Sequence, residues 1–334
     1  MPRLDSHINK LNEDAKKSMS SRILVGLLIG VVGLPLVLLG DYAFLALVLF
    51  ALGVSGYEIL LAGKTKYKNN VITIIITYFT LFLPVILTCI INNLLNSQPL
   101  YDLSYGFSSF IPGFLGLVII VIFNLFLAIF DKDFTIEQAF YYITMETVIV
   151  FGSLSLLHLR YYPIFEEIII NPSFNTYTST LPYYFRFGTS AMLLLYVVLG
   201  AMANDICAYF FGVLFGKHKM CPRISPKKTW EGFAGGIIGS AAITMTFVLL
   251  LANFDYPIIQ SFDLNHWYLI LITSIIIPLI GTLGDLIFSL VKRNFGVKDF
   301  GTMLKSHGGI LDRLDSIYFT AIVGALIVSL ITLF

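Results

Sequence analysis

The stretch IPGFLGLVIIVIFNLFLAIF, residues 111–130, contains no charged side chain. At a helical rise of about 1.5 Å per residue, a run of this length crosses the hydrocarbon core of a bilayer, which is about 30 Å thick. Its apolar residues are continuous and do not alternate with polar ones, as they would in a strand of a membrane barrel. The stretch therefore predicts a transmembrane α-helix.

Comparable apolar runs occupy most of the chain on both sides of this one. Of the 334 residues, 57% are hydrophobic and only 12% are charged, whereas a soluble domain carries about 25% charged residues. We therefore exclude a single water-soluble core and expect an all-α polytopic membrane protein with about nine transmembrane helices. The predicted spans are 23–40, 42–62, 71–91, 111–130, 139–159, 190–215, 233–252, 267–291 and 316–334.

The basic residues predict the orientation of these spans. All 21 lysines and arginines except Arg160 and Arg186 fall on one side of the predicted topology. By the positive-inside rule, that side is the cytoplasm, so the N-terminus is expected inside and the C-terminus outside. The first apolar run lacks a signal-peptidase site and is interpreted as a retained helix. The net charge of +1 gives no indication of a nucleic-acid partner.

Three regions follow from this topology. Residues 1–21 form a cytoplasmic tail whose apolar spacing fits an amphipathic helix on the membrane surface, with a disordered tail as the alternative. Residues 22–199 hold the N-terminal transmembrane helices. Residues 200–334 hold the C-terminal transmembrane helices, with cytoplasmic loops at 216–232 and 292–315. The three cysteines form no CxxC motif and are interpreted as free thiols.

Several charged residues interrupt the apolar pattern at the cytoplasmic side. Asp205 and Asp285 lie inside predicted spans, where a carboxylate costs about 2.5–3.5 kcal/mol. A carboxylate is tolerated within a span when it forms an ion pair between helices, binds a cation or faces a water-filled cavity. Asp285 shares one helix face with Ser289 and Lys292.

The start of the last span carries a second pair of carboxylates. Asp312 and Asp315 are three residues apart and share a face, at a helix N-terminus whose dipole also favours carboxylates. Gly308 and Gly309, just before them, allow the backbone to approach a ligand closely. Carboxylate oxygens hold Mg²⁺, which in turn holds phosphates.

A third polar segment, SPKKTWEG at 225–232, supplies Lys227 and Lys228 on a turn that Pro226 is expected to fix. Lysine and arginine side chains neutralise phosphate charge. No Walker, HExxH or GxSxG motif occurs in the sequence. The residues alone therefore predict a cytoplasm-facing, metal-dependent site for a phosphate-rich substrate, at the depth of the lipid headgroups.

The segment SLVKRNFGVKDFGTMLKSHGGILDRLDS, residues 289–316, resembles the signature of the phosphatidate cytidylyltransferases, or CDP-diacylglycerol synthases. That signature reads S-x-x-K-R-x4-K-D, followed by H-G-G-x-x-D-R-x-D. AYFFGVLFGKHK and ISPKKTWEG resemble the other cytoplasmic block of the family, in the same order. The resemblance is specific over residues 200–320 and only general over residues 1–199. The chain departs from the family pattern at Ile206, Phe288, Lys305 and Ser306; Phe288 replaces a glutamate.

The resemblance implies that CTP and phosphatidic acid give CDP-diacylglycerol and pyrophosphate. It implies Mg²⁺, a second cation such as K⁺, and a homodimer with a site open to the cytoplasm, and it makes residues 200–334 the catalytic region. The expected setting is the plasma membrane. The expected catalytic residues are Asp285, Asp312, Lys292, Arg293 and His307. The expected metal ligands are Asp285, Asp312, Asp315 and Asp205. The expected substrate contacts are Ser225, Lys227, Lys228, Ser289, Lys298, Asp299, Gly308, Gly309 and Arg313.

Some alternatives stay open at this point. His307 either bonds a phosphate oxygen or stabilises the turn. Glu58 and Glu146, which also lie within spans, either line the lipid path or have structural roles. For the whole protein, the alternatives are a CTP-dependent polyprenol or lipid kinase, a cation-coupled transporter using Asp205 and Asp285, and a family member that has lost catalysis.

Overall fold

The computed structural model describes residues 30–96, 110–161, 183–253, 258–259, 262, 264–304 and 308–331. These residues form helices joined by short loops and a single hairpin. In chain order the elements are α1 Gly30–Leu39, α2 Asp41–Gly63, α3 Val71–Asn96, α4 Phe110–Phe130, α5 Ile136–Tyr161, α6 Tyr183–Phe215, β1 Lys219–Cys221, β2 Ser225–Thr229, α7 Trp230–Asn253, α8 Trp267–Asn294 and α9 Leu311–Ile331.

Eight of these helices, α2 to α9, are long and apolar enough to cross a membrane. They coincide with eight of the nine predicted spans, and α1 is the described part of the remaining one. The all-α polytopic class is therefore confirmed. The predicted amphipathic tail and most of the loop between α5 and α6 lie outside the described residues.

The hairpin between α6 and α7 was not predicted. Strands β1 and β2 pair antiparallel, with Lys219 opposite Thr229 and Cys221 opposite Ser225. The expectation that Pro226 fixes a turn is wrong: Pro226 lies within β2, and the turn is formed by residues 222–224. A two-stranded hairpin tolerates proline because each strand has an edge that makes no ladder hydrogen bonds.

Small residues bring α6 and α7 close together. A Cβ atom added at Gly235 of α7 would overlap the ring of Phe211 on α6, and one at Gly239 would lie 2.6 Å from Cys207 Sγ. Close backbone approach through small residues is a general mode of helix packing in membranes. The contact fixes α6, which carries Asp205, against the hairpin and α7.

The loop between α2 and α3 holds the end of α8. Thr65 Oγ1 donates a hydrogen bond of 3.0 Å to the carbonyl of Phe295, and Lys66 Nζ donates one of 3.0 Å to Asn294 Oδ1. The ring of Tyr67 also meets Phe295 edge-on, with centroids 5.7 Å apart. The basic loop between α2 and α3 and the basic end of α8 therefore meet at one end of the bundle. The predicted topology also places these two parts of the chain on the same side of the membrane.

Candidate active site

A cavity of about 480 Å³ lies between α6, α7, α8 and the hairpin. Its size falls within the range of small-molecule sites, about 300–1,000 Å³. The charged side chains that line it are Asp205, Lys219, Lys227, Lys228 and Asp285. The rest of its wall is formed by apolar residues, chiefly of α6 and α7, together with the polar side chains of Asn204, Thr229 and Thr282. The cavity thus combines two carboxylates with three lysines at one end of the bundle.

Asp285 is the most closely bonded carboxylate of this cavity. Lys228 Nζ lies 2.7 Å from its Oδ2, and Ser289 Oγ donates a hydrogen bond of 3.3 Å to its Oδ1. The second contact confirms that Asp285 and Ser289 share a helix face. Asp205 interacts electrostatically with both Asp285 and Lys228. The two carboxylates of the cavity therefore interact with each other and with the same lysine, Lys228.

A second charged cluster joins α8 to the start of α9. Lys292 Nζ donates a hydrogen bond of 2.9 Å to Asp312 Oδ1 and lies 3.8 Å from Asp315 Oδ2. Asp312 Oδ2 accepts two backbone N–H groups, from Phe300 at 2.8 Å and from Gly309 at 2.9 Å. Both oxygens of Asp312 are therefore engaged within the protein, and Asp312 stabilises the segment between the two helices.

Asp315 links the two clusters. Its Oδ1 accepts the backbone N–H of Ser316 at 2.8 Å. Its charge interacts with Asp285 and Asp205 as well as with Lys292. The residues predicted from two separate sequence blocks therefore form one electrostatic unit.

Gly308 and Gly309, the two glycines of the H-G-G motif, lie where a larger side chain would be crowded. Gly308 has a φ of +79°, and a Cβ atom there would lie 2.9 Å from Asp312 Oδ2. A Cβ atom on Gly309 would overlap the carboxylate of Glu58. This contact of Glu58 could not be predicted from the sequence, in which Glu58 stands out only as a lone carboxylate within an apolar span.

The other predicted residues are less closely engaged. Arg293 donates to the carbonyl of Ile224 at 3.3 Å, which ties the hairpin turn to the end of α8. Arg313 interacts electrostatically with Asp205. Ser225 is the first residue of β2. Lys298 and Asp299 follow α8 and are exposed. His307, Lys305 and Ser306 lie outside the described residues. The roles predicted for all these residues stay predictions.

The cavity fits Mg²⁺ better than the second cluster does. Among the described residues, no three His, Cys, Asp or Glu side chains converge into a preformed metal cage. Mg²⁺, however, is usually held by one or two carboxylates together with water and substrate phosphates. Asp205 and Asp285 on the cavity wall match that pattern. Asp285 has one protein partner on each oxygen, Ser289 and Lys228, whereas Asp312 accepts three hydrogen bonds, two of them on Oδ2.

Phe288 occupies an apolar pocket directly behind this site. It is 2% exposed and meets Phe300 and Phe319 edge-on, with ring centroids 5.7 and 6.1 Å apart. The side chain therefore fills space in the core.

Replacing Phe288 with glutamate, the residue of the family pattern, is expected to destabilise this protein. The change removes a buried ring, which costs about 3–5 kcal/mol in comparable sites, and buries a carboxylate among aromatic rings. Thermal unfolding in detergent measures the effect, with Phe288→Leu as the apolar control. A Phe288→Glu protein as stable as the wild type would show that the pocket is not apolar.

These observations define a polytopic helical membrane protein with a carboxylate- and lysine-lined site at one end of its bundle. The chain belongs to the cytidylyltransferase family, whose model matches residues 20–331. The resemblance found in the sequence is thereby confirmed.

Proteins named phosphatidate cytidylyltransferase share part of the sequence. Over 126 residues the chain is 48% identical to the protein of Staphylococcus haemolyticus, 45% to that of Staphylococcus saprophyticus and 44% to that of Staphylococcus aureus. Each match covers 38% of this chain and 45% of the relative. The chain therefore spans less than half the length of the curated relatives in these matches.

Proposed function

We propose that this protein transfers CMP from CTP to phosphatidic acid, which gives CDP-diacylglycerol and pyrophosphate. The observation that carries the proposal is the cavity of about 480 Å³, in which Asp205 and Asp285 face three lysines. Family membership and the names of the relatives support the same reaction. No feature of the described residues favours the kinase or the transporter.

The lysines of the hairpin are suited to bind the triphosphate of CTP. Lys219, Lys227 and Lys228 line the cavity on β1 and β2. Lys228 is bound to Asp285 at 2.7 Å, so it is held in place before a substrate arrives. Asp205 and Asp285 would hold Mg²⁺, which supplies neutralisation of phosphate charge. A second cation such as K⁺ and a homodimer, both implied by the resemblance, stay predictions.

The reaction needs charge neutralisation more than it needs a base. The phosphate of phosphatidic acid is already an anion at neutral pH, so it needs no deprotonation. One of its oxygens bonds to the α-phosphorus of CTP, and the bond from that phosphorus to the bridging oxygen of the β-phosphate breaks. The protein's task is to reduce repulsion between the phosphates and to stabilise the departing pyrophosphate. Lys228 is placed for that task, and Lys292 lies in the adjoining cluster.

The lipid would approach from the side of α6. Tyr209 and Val213 line the cavity and are 68% and 67% exposed on the outer face of the bundle. Acyl chains can remain in the bilayer along this apolar face while the headgroup reaches the lysines. We infer that the site faces the cytoplasm, because the hairpin carries basic residues. The plasma membrane stays a prediction.

Labelled CTP tests the reaction and separates it from its alternatives. Purified protein in detergent is given phosphatidic acid, Mg²⁺ and CTP labelled at either the α- or the γ-phosphorus. We expect only the α-label to enter the lipid fraction, and we expect chelation with EDTA to stop the transfer until Mg²⁺ is restored. Entry of the γ-label would identify a kinase. If folded protein transferred neither label to the lipid fraction, the proposal would be overturned, and transport would be the next function to test.

A further inference from the structure

We propose that Glu58 of α2 is a positioning residue, which fixes the start of α9 and, through it, Asp312 and Lys292. The inference rests on the proposed function, because it concerns the geometry of the same site. It assigns a role in that site to a helix of the N-terminal half, which the motif blocks do not include.

The carboxylate of Glu58 binds the first backbone amides of α9. Oε1 accepts the N–H of Ile310 at 2.9 Å, and Oε2 accepts the N–H of Leu311 at 2.7 Å. The first N–H groups of a helix have no partner within the helix and carry partial positive charge. Glu58 is 1% exposed, so water does not compete for these bonds. The contact satisfies a buried amide, that of Leu311, and a partly buried one, that of Ile310.

Two glycines of the connection between α8 and α9 pack against this carboxylate. A Cβ atom at Gly301 or at Gly309 would overlap Glu58, so the backbone approaches it closely at both positions. Asp312 accepts the N–H groups of Phe300 and Gly309. Two carboxylates from different helices therefore clamp the described residues on both sides of 305–307.

Loss of this clamp would move charged groups of the site. Asp312 lies in the first turn of α9 and binds Lys292 at 2.9 Å, so a shift of the helix start moves both side chains. Displacements of about 1 Å at a reacting group can lower rates about 100-fold. The Ile310 and Leu311 amides are occupied by Glu58, so they serve to hold the segment and not to bind phosphate.

Glu58→Gln is the test variant, and Glu146→Gln is its matched control. Glu146 on α5 is also fully buried and accepts hydrogen bonds from Thr80 and Asn124, at 2.8 and 2.9 Å, away from the cavity. Both variants replace one buried glutamate in a transmembrane helix with its amide. For Glu58→Gln we expect kcat per folded protein to fall about 10- to 100-fold, with KM for CTP changed far less. For Glu146→Gln we expect kcat per folded protein to stay within about twofold of the wild type.

Hydrogen exchange measures the anchoring without using activity. The amides of Ile310 and Leu311 are expected to exchange faster in Glu58→Gln than in the wild type, and at the wild-type rate in Glu146→Gln. Glu58→Asp keeps the charge on a shorter side chain. It is expected to recover part of the protection and part of kcat, which loss of buried packing alone would not predict.

The outcomes separate this inference from the proposed function. Faster exchange at the start of α9, together with a lower kcat in Glu58→Gln only, supports the inference. Unchanged exchange, or an equal loss of kcat in both glutamine variants, overturns it. A wild-type protein that makes no CDP-diacylglycerol overturns the proposed function instead, and the exchange rates then decide whether Glu58 anchors α9.

Discussion

Asp285→Asn is expected to lower kcat by about 100- to 1,000-fold, the usual cost of losing a group that stabilises charge in the transition state. Asparagine keeps the size of the side chain and an oxygen for Ser289, but it loses the charge that pairs with Lys228 at 2.7 Å. It also removes one of the two carboxylates available to Mg²⁺ in the cavity. KM for CTP should change less than kcat, because the lysines that we propose as triphosphate contacts remain. The measurement is the initial rate of CDP-diacylglycerol formation per folded protein.

Asp133→Asn is the matched control for this variant. Asp133 also forms an ion pair with a lysine, Lys68, at 2.8 Å, but both side chains are exposed, at 50% and 73%. Exposed pairs contribute only about 0–1 kcal/mol, so the rate should stay within about twofold of the wild type. If Asp285→Asn behaved like Asp133→Asn, the cavity would not be the active site.

Lys292→Met is expected to abolish activity and to destabilise the protein by about 3–5 kcal/mol, the usual cost of breaking a buried ion pair. The side chains of Lys292 and Asp312 are only 10% and 4% exposed, and Asp315 lies 3.8 Å from the same amino group. Methionine has a similar length but leaves both carboxylates buried without their cation. Thermal unfolding in detergent measures the loss of stability, and the same rate assay measures activity.

A double variant separates the two consequences of Lys292→Met. Adding Asp312→Asn removes one of the two uncompensated charges and leaves Asp315, so part of the stability should return while the activity stays absent. A Lys292→Met protein with wild-type stability would contradict the buried pair. Restored activity in the double variant would show that Lys292 takes no part in the reaction.

The helices could be predicted from the sequence because the bilayer imposes a length on every apolar run. Eight described helices coincide with predicted spans for that reason. Spacing along one helix was equally informative. It predicted that Ser289 lies beside Asp285, and the structure has a hydrogen bond of 3.3 Å between them. It also predicted that Asp312 and Asp315 share a helix face, and both contact the amino group of Lys292.

Contacts between helices could not be predicted in the same way. Lys292 shares a helix face with Asp285, yet it binds Asp312, while Asp285 binds Lys228 of the hairpin. Which lysine meets which carboxylate depends on how α8 packs against α9 and β2, and no local spacing encodes that. The bond from Ile310 to Glu58 joins residues 252 positions apart. The hairpin itself was missed because Pro226 was interpreted as part of a turn.

The most direct test of the central claim is mass spectrometry of all products from one reaction of the purified wild-type protein with CTP, phosphatidic acid and Mg²⁺. The proposed function predicts CDP-diacylglycerol and pyrophosphate in equal amounts, with an equal loss of phosphatidic acid and CTP. CDP and a newly phosphorylated lipid in their place, or unchanged phosphatidic acid in the presence of folded protein, would contradict it.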